Sequence, residues 1–221
     1  MKIAVLIPTL NEGESIKRVI ESIPDIENAD ARVYVIDGCS TDGTQENAVT
    51  AGATLIEEPR KGYGRAYRTG LERIKADIYV TLDGDNSYPA EEIPRLVKKL
   101  IEGGYDFISG FRRPLKGSMS LSHRLGNSGL SFLTNLLFGF RIKDSQSGMW
   151  IFTKELLRKM ELHGDGMFFS IEIKLEACKN GKFKEIRIPL KPRVGIAKIK
   201  IIDGFKIAKL LLKRRIRILF A

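Results

Sequence analysis

The chain has 221 residues, of which 43% are hydrophobic and 29% charged, so it is long enough for one sizeable core and has the composition of an ordinary globular protein. It contains no apolar run near the roughly 18 residues of a membrane-spanning helix, and its first residues are too short and strand-like for a signal peptide. Cys39 and Cys178 lie far apart, which indicates reduced thiols of a cytoplasmic protein. A net charge of +10 suits nucleic acid, an anionic membrane surface or a phosphorylated substrate, without choosing among them.

The first 110 residues alternate between strand-like and helix-like segments. Short apolar runs predict strands over residues 2–7, ended by Pro8, and over 32–36, 53–56, 78–82 and 107–109; helical spacing of apolar residues predicts helices over 12–23, 41–51, 63–74 and 90–101. Ser40 or Thr41 is expected to cap the second helix. Such alternation is typical of an α/β fold with a mostly parallel sheet covered by helices on both faces, in which ligands bind beyond the carboxyl ends of the strands.

The pattern changes after about residue 112. Residues 118–140 carry few charges and many apolar side chains, and later segments predict a strand over 148–153, a short helix over 155–160, a helix over 168–179 and a strand over 183–188. Residues 202–220 have a basic and apolar helical pattern. We therefore expect one compact domain over residues 1–200, followed by a basic amphipathic helix over residues 201–221.

The sharpest local signal is the pair Asp83 and Asp85, which follows the apolar run 78–82. Side chains at positions i and i+2 of an extended segment point the same way, so two unpaired carboxylates here would repel each other unless a cation lay near them. Hard oxygen ligands suit Mg²⁺ or Mn²⁺, which normally keep several waters and bind substrate phosphates. A solvated acidic turn is the alternative, and the position after a buried strand argues against it.

Two further segments suit a nucleotide. Asp37 stands at the end of the second predicted strand, where a carboxylate can accept hydrogen bonds from a nucleobase or ribose hydroxyls, whereas Asp42 is expected to cap a helix. Residues 60–64 form a basic, glycine-rich turn before a helix, which allows close backbone approach to a nucleotide. This turn is neither a dinucleotide-binding fingerprint nor a P-loop.

These motifs, together with Pro8, Glu12 and their neighbours, resemble the family 2 glycosyltransferases of GT-A fold. The resemblance extends to the dolichyl-phosphate mannose synthase-like branch through residues 110–112, residues 144–148, residues 193–198 and Arg124, which resembles the branch's acceptor-phosphate arginine at the head of an apolar interfacial helix. It covers about residues 1–200. It implies a GT-A sheet with helices on both faces, plus amphipathic interfacial and C-terminal helices.

The resemblance also implies a reaction and a set of residue roles. In that branch a nucleotide-activated hexose is passed to a polyprenyl phosphate. The implied roles are donor binding by Pro8, Glu12, Asp37, Lys61, Asp83, Gly84, Arg112 and Lys198; Mg²⁺ or Mn²⁺ binding by Asp83, Asp85 and Ser87; and catalysis by Asp85, Arg124 and Arg193. Gly38, Ser87 and Ala197 stand where the family usually has Asp, Gln and Ser, which leaves the sugar, and the choice of GDP or UDP, open.

A lipid phosphate acceptor is already anionic at neutral pH, so it needs no strong general base. Catalysis then consists of holding two anions in line and neutralising the leaving diphosphate, with inversion by single displacement. Arginines suit this task because they can bind phosphate in a bidentate manner. Glu172 could approach the sugar or pair at the surface with Lys174 or Lys179. His123 and His163 show no metal-ligand pairing and are assigned no role, and Trp150 is expected in the core.

Three alternatives stay open. A family 2 enzyme that acts on a sugar hydroxyl of a cell-surface or soluble glycan should show a well-placed carboxylate base. A nucleotidyltransferase would release pyrophosphate instead of a nucleoside diphosphate. A nucleic-acid-binding module would suit the charge, but the sequence has no C₂H₂ pattern, RNP-like strand or basic zipper, and we expect no nucleic-acid partner.

The helix predicted over residues 202–220 suggests where the protein works. Its six Lys and Arg residues oppose deep insertion into a bilayer but favour an anionic surface, and residues 118–140 could supply a second apolar contact. We expect a peripheral protein on the cytoplasmic face of the membrane. The alternative is a terminal helix packed on the sheet with a solvated basic face.

Overall fold

The computed structural model describes residues 1–195 and 201–219, with side chains in the second range from 203 to 217. Within them one sheet has the strand order β3-β2-β1-β4-β6-β5-β7. Its strands are β1 (Lys2–Thr9), β2 (Asp30–Asp37), β3 (Thr54–Glu57), β4 (Ile78–Thr81), β5 (Phe107–Pro114), β6 (Trp150–Thr153) and β7 (Phe183–Leu190). Only β6 runs antiparallel to its neighbours, β4 and β5, so the prediction of a mostly parallel sheet is confirmed.

Helices cover both faces of this sheet, as predicted. They are α1 (Ile16–Glu21), α2 (Thr44–Thr50), α3 (Tyr63–Arg73), α4 (Ile93–Glu102), α5 (Leu121–Phe138), α6 (Lys154–Leu157), α7 (Phe169–Asn180) and α8 (Ile201–Leu219). Side chains of β1 alternate between two hydrophobic clusters because successive residues of a strand face opposite ways. Val5 packs with α1, α2 and α4 on one face, and Leu6 packs with α3, α6 and α7 on the other. Trp150 is fully buried, as expected.

Two local predictions were wrong. β1 does not end at Pro8 but continues to Thr9, because β4 pairs with β1 only as far as Leu6 and Pro8 needs no donor on that side. α2 begins at Thr44 after Gly43, which has φ 82°, and neither Ser40 nor Thr41 caps it. Ser40 instead turns back to the loop after β1, where its hydroxyl accepts a hydrogen bond from the Asn11 backbone N–H at 2.8 Å.

α8 packs beside α5 and against α7. Ile207 and Leu211 of α8 are buried with Ile171 and Leu175 of α7. The predicted helix over residues 202–220 is therefore present, although Phe220 lies outside the described residues. α8 shares a hydrophobic cluster with the preceding chain, and the division at residue 200 stays a prediction. In the described ranges no helix combines the length and apolar character that crossing a membrane requires.

Candidate active site at the carboxyl ends of the strands

A cleft of about 880 Å³ opens where β1 and β4 end. Most of the predicted site residues line it, namely Pro8, Glu12, Lys61, Asp83, Gly84, Asp85, Ser87, Arg112 and Arg193. Asp37 and Arg124 lie outside this lining, and Lys198 lies outside the described residues. Residues predicted from five separate segments thus come together at one edge of the sheet.

Asp83 and Asp85 lie in the loop that follows β4 and have different partners. The Tyr63 hydroxyl donates to Asp83 Oδ1 at 3.1 Å, whereas Asp85 accepts from the Ser87 backbone N–H at 3.0 Å and forms an ion pair with Arg193 at 2.6 Å. Burial and the negative charge of Asp85 raise the pKa of Asp83 to about 7. A cation bound near both carboxylates would relieve this repulsion.

The donor set fits a hard divalent ion that is shared with a substrate. Among the described residues no three His, Cys, Asp or Glu side chains form a group that could hold a metal. Mg²⁺ is commonly bound through one or two protein carboxylates, with several waters and substrate phosphates as its other ligands. Asp83 and Asp85 offer the two carboxylates. Ser87 is 4% exposed and lines the same cleft. The Arg193 guanidinium lies against Asp85, where such an ion would also be attracted.

Two glycines allow this close packing. A Cβ on Gly148 would lie 2.6 Å from the Tyr63 hydroxyl oxygen and 3.2 Å from Asp83 Oδ1. A Cβ on Gly84 would lie 3.1 Å from the Thr9 methyl group. A side chain at residue 148 would therefore have to displace the Tyr63 hydroxyl group from its place beside Asp83. Sequence reasoning used Gly148 as part of a motif but missed this contact, as well as the Tyr63 hydrogen bond.

Asp37 is fully buried beside the cleft rather than in its wall. Burial opposes ionisation of its carboxyl group, but hydrogen bonds from Ser40, Gln45 and Thr9 hold the pKa of Asp37 below its ordinary value. Both oxygens are used, since Oδ1 accepts from the Thr9 and Ser40 hydroxyls and Oδ2 from the Ser40 backbone and the Gln45 amide. Direct recognition of a nucleoside by Asp37 would require one of these donors to be replaced.

Arg112 is held rigidly in the cleft wall by Asp144. Its Nε and Nη2 atoms each lie 2.7 Å from one oxygen of that carboxylate, and both side chains are largely buried. The backbone N–H of Asp144 is in turn bound by Glu185 at 3.0 Å. A guanidinium fixed in this way is pre-oriented for an anion in the cleft.

The chain after β7 closes over the loop that carries Asp85. The Lys191 N–H donates to the Ser87 carbonyl and the Val194 N–H to the Asp85 carbonyl, both at 2.9 Å. These bonds place Arg193 against Asp85. We call the region around Asp83, Asp85 and Arg193 the carboxylate end of the cleft.

The opposite part of the cleft, which we call the apolar end, is built mainly by helices. Its lining comprises Met119, Leu130, Leu133, Met167, Phe205, Ile207 and Ala208. His123, which sequence reasoning set aside, also lines the cleft, whereas Arg124 is exposed on α5. One continuous cleft thus joins a pair of carboxylates to a hydrocarbon-like wall.

Sequence reasoning also missed Glu58, a buried cleft residue at the end of β3. Arg60 binds it with Nε at 2.7 Å and Nη2 at 2.6 Å, and the Thr69 hydroxyl donates to it as well. The hydrogen bond from Arg60 is the main cause that lowers the pKa of Glu58 to about 2. The sequence signal for this pair is weak, because the sequence indicates a basic turn over residues 60–64 but not that Glu58 is buried.

Comparison with known proteins supports one family. The model of "Glycosyl transferase family 2" matches residues 4–161. From Haloferax volcanii, the low-salt glycan biosynthesis hexosyltransferase Agl6 is 34% identical, covering 95% of this chain and 53% of its own length, and the glycosyltransferase AglJ is 37% identical, covering 81% and 59%. The dolichyl-phosphate hexose transferase of the same organism is 32% identical and covers 98% of this chain and 96% of its own length. The chain therefore spans little more than half of the first two relatives.

Solved structures share the architecture. Glucosyl-3-phosphoglycerate synthase from Mycobacterium tuberculosis in complex with UDP has a TM-score of 0.76 at 23% identity, with 97% of this chain and 80% of that chain covered. The same enzyme with Mn²⁺, UDP-glucose and phosphoglyceric acid has a TM-score of 0.75 at 25% identity, with 97% and 79% covered. The predicted α/β fold is thereby confirmed.

Proposed function

Because this chain belongs to glycosyltransferase family 2 and has the GT-A fold, we propose that it transfers a hexose, with inversion, from a GDP- or UDP-linked donor to a polyprenyl phosphate. Membership of the family supports glycosyl transfer.

The observation that carries the proposal is the continuity of the cleft. Its carboxylate end suits a metal-bound diphosphate, and its apolar end offers a wall of α5 and α8 side chains to a hydrocarbon chain. An acceptor with an anionic head and a long apolar tail matches both ends. The resemblance to a dolichyl-phosphate hexose transferase along 96% of that protein supports the same acceptor class.

We assign Asp83 and Asp85, with Ser87 beside them, to a Mg²⁺ or Mn²⁺ ion. When bound, the ion would neutralise charge on the leaving diphosphate. The donor set supports this assignment, as do the related structures that contain Mn²⁺ or Mg²⁺ together with UDP. Pro8, Glu12, Lys61 and Gly84 line the same end and are assigned to the donor.

The arginines are assigned to the phosphates. Arg112 is fixed by Asp144 and is therefore pre-oriented for a phosphate. Arg193 pairs with Asp85 through Nη2, and its remaining guanidinium N–H groups can contact a phosphate. Arg124 is exposed on α5, near the apolar end, where the head group of a lipid could approach it. No general base is needed, because the acceptor oxygen is already anionic.

We further propose peripheral binding to the anionic cytoplasmic face of a membrane. The outward side of α5 exposes Leu121, Leu125, Phe132 and Leu136, and that of α8 exposes Phe205, Leu212 and Ile216. Phe132 is 70% exposed and Phe205 73%, values that are unusual for phenylalanine in water. Exposed Lys209 and Lys213 on α8 complement an anionic surface.

A donor and acceptor panel tests the proposal. UDP- and GDP-linked hexoses are incubated with Mn²⁺ or Mg²⁺ and a polyprenyl phosphate, and the products are scored for glycolipid and for free nucleoside diphosphate. We expect one donor to give both products. Transfer to a sugar hydroxyl alone would support the glycan-building alternative, and release of pyrophosphate would support a nucleotidyltransferase.

A further inference from the structure

The carboxylate of Glu172 on α7 is buried, and its two oxygens bind different parts of the chain. Oε1 accepts from Arg214 Nη1 of α8 at 3.1 Å. Oε2 accepts from the backbone N–H groups of His163 at 3.1 Å and Gly164 at 2.7 Å. The side chain does not line the cleft, and it pairs with Arg214 rather than with Lys174 or Lys179, so neither role that the sequence suggested for it is seen.

On the Arg214 side, Glu172 helps to fix α8. Arg214 bridges Glu172 and Glu176, which are 3% and 2% exposed, so this cation is held between two largely desolvated carboxylates. Charges buried in this way depend strongly on their partners. The same helix contributes Phe205, Ile207 and Ala208 to the apolar end of the cleft. The bridge therefore holds the helix that shapes the apolar end.

Through its other oxygen, Oε2, Glu172 fixes residues 163–165, which support the start of α3. The Asp165 backbone carbonyl accepts a hydrogen bond from the Arg65 backbone N–H at 3.0 Å. The Asp165 carboxylate forms an ion pair with the Arg65 guanidinium at 2.9 Å. A Cβ on Gly62 would lie 2.2 Å from the Asp165 carbonyl oxygen, and one on Gly64 would lie 2.3 Å from that of Gly164. Residues 163–165 therefore pack tightly against the turn at residues 62–65.

That turn is part of the carboxylate end. Lys61, Gly62 and Tyr63 line the cleft, and the Tyr63 hydroxyl donates to Asp83. A continuous series of hydrogen bonds and close contacts therefore runs from α8 through Glu172 and residues 163–165 to Asp83.

We infer that Glu172 is a positioning residue that ties the helix at the apolar end of the cleft to the turn at its carboxylate end, so that the two halves of the site are set together. This inference rests on the proposed function in one respect: it assumes that a nucleoside diphosphate binds at the carboxylate end. A carboxylate can accept on both oxygens, whereas glutamine accepts on one and donates on the other. Glu172→Gln can therefore satisfy Arg214 or the backbone N–H groups, but not both.

Glu176→Gln is the matched control. Glu176 binds the same Arg214 and is equally buried, but its other oxygen accepts from the Glu161 backbone N–H at 3.2 Å and from Asn180 at 3.1 Å, not from residues 163–165. Both variants remove one negative charge beside the same cation. Only Glu172→Gln breaks the connection to the turn at residues 62–65.

Amide hydrogen exchange on the ligand-free protein is the first measurement. We expect exchange at residues 62–66 and 163–165 to be about fivefold faster in Glu172→Gln than in wild type, and within about twofold of wild type in Glu176→Gln. Equal exchange in the two variants would overturn the inference. If Glu172→Gln does not fold, Arg214→Lys takes its place, and Arg217→Lys, at an exposed position of α8, is its control. Exchange at the wild-type rate at residues 62–66 in Arg214→Lys would also overturn the inference.

Calorimetric titration with UDP and with GDP, each with Mn²⁺, is the second measurement. For the nucleotide that wild type binds more tightly, Kd should rise about fivefold in Glu172→Gln and change less than about twofold in Glu176→Gln, at comparable unfolding temperatures. Equal affinities would contradict the inference. If the proposed acceptor is wrong, no glycolipid will form although nucleotides still bind. The exchange measurement is independent of the proposed function because it needs no ligand.

Discussion

The carboxylate end of the cleft is built from strand ends and tight loops, whereas the apolar end is built from the faces of helices. Beside the carboxylate end Asp37 accepts four hydrogen bonds. At that end a Cβ on Gly148 would lie 2.6 Å from the Tyr63 hydroxyl oxygen, and one on Gly84 would lie 3.1 Å from the Thr9 methyl group. At the apolar end a Cβ added to Gly126 or Gly129 of α5 would meet nothing within 4 Å, and large side chains stand exposed nearby. The proposed chemistry, which needs fixed geometry, thus lies at the sheet, and the proposed recognition of a flexible lipid chain lies on helices.

The largest effect is expected at the carboxylate end. Asp85→Asn should abolish turnover and Asp83→Asn should reduce it severely, because loss of a charged ligand for a diphosphate-bound ion lowers the rate on the order of 10²-fold or more. Steady-state kinetics check the rates, and thermal unfolding checks that the fold is retained. Full activity of wild type in excess chelator would refute the metal assignment.

A glycine pair compares the two ends directly. Gly148→Ala would push a methyl group to 2.6 Å from the Tyr63 hydroxyl oxygen, so we expect about a tenfold loss of nucleoside diphosphate affinity from overpacking. Gly126→Ala makes the same change at the apolar end, where the space is open, and should keep nucleotide affinity within about twofold. Calorimetric titration measures both variants. Equal losses would show that the ends do not differ in rigidity.

The arginines should separate the two substrates. Arg193→Ala should weaken both donor and acceptor, whereas Arg124→Ala should raise the KM for lipid phosphate and leave nucleotide binding nearly intact, since each charge-assisted contact to phosphate contributes about 1.5–3 kcal/mol. Kinetics with each substrate varied in turn give the two KM values. An unchanged lipid KM in Arg124→Ala would remove this residue from the acceptor site.

The smallest effect is expected at the membrane. Lys209→Gln with Lys213→Gln should weaken flotation with anionic liposomes several-fold, because each basic residue near such a surface contributes about 1 kcal/mol before screening. Lys17→Gln with Lys98→Gln removes the same charge from α1 and α4 and should have little effect. Binding should fall as salt rises. Equal losses in the two double variants would show that α8 does not face the membrane.

The mostly parallel sheet, and the position of Asp83 and Asp85 beyond a strand end, could be predicted because their signals are local. The apolar run of β1 and the placement of Asp83 and Asp85 after the apolar run 78–82 depend on neighbouring residues alone. Ser40 was wrongly predicted to cap a helix. Its actual contacts, with Asp37 and with the backbone of Asn11, depend on the loop after β2 packing against the loop after β1, which the local sequence does not show. Glu172 was expected either near the sugar or in a surface pair, because its actual partner, Arg214, is distant in the chain. The antiparallel course of β6 likewise depends on long-range pairing.

The central claim is that one cleft holds a nucleotide sugar at its carboxylate end and a lipid phosphate at its apolar end. The most direct test compares hexose transfer to three acceptors, namely a polyprenyl phosphate, the polyprenol of the same chain length, and a short-chain isoprenoid phosphate. We predict a much higher kcat/KM for polyprenyl phosphate than for either of the others, because only it offers both the anion and the tail. Equal transfer to the polyprenol or to the short phosphate would contradict the account.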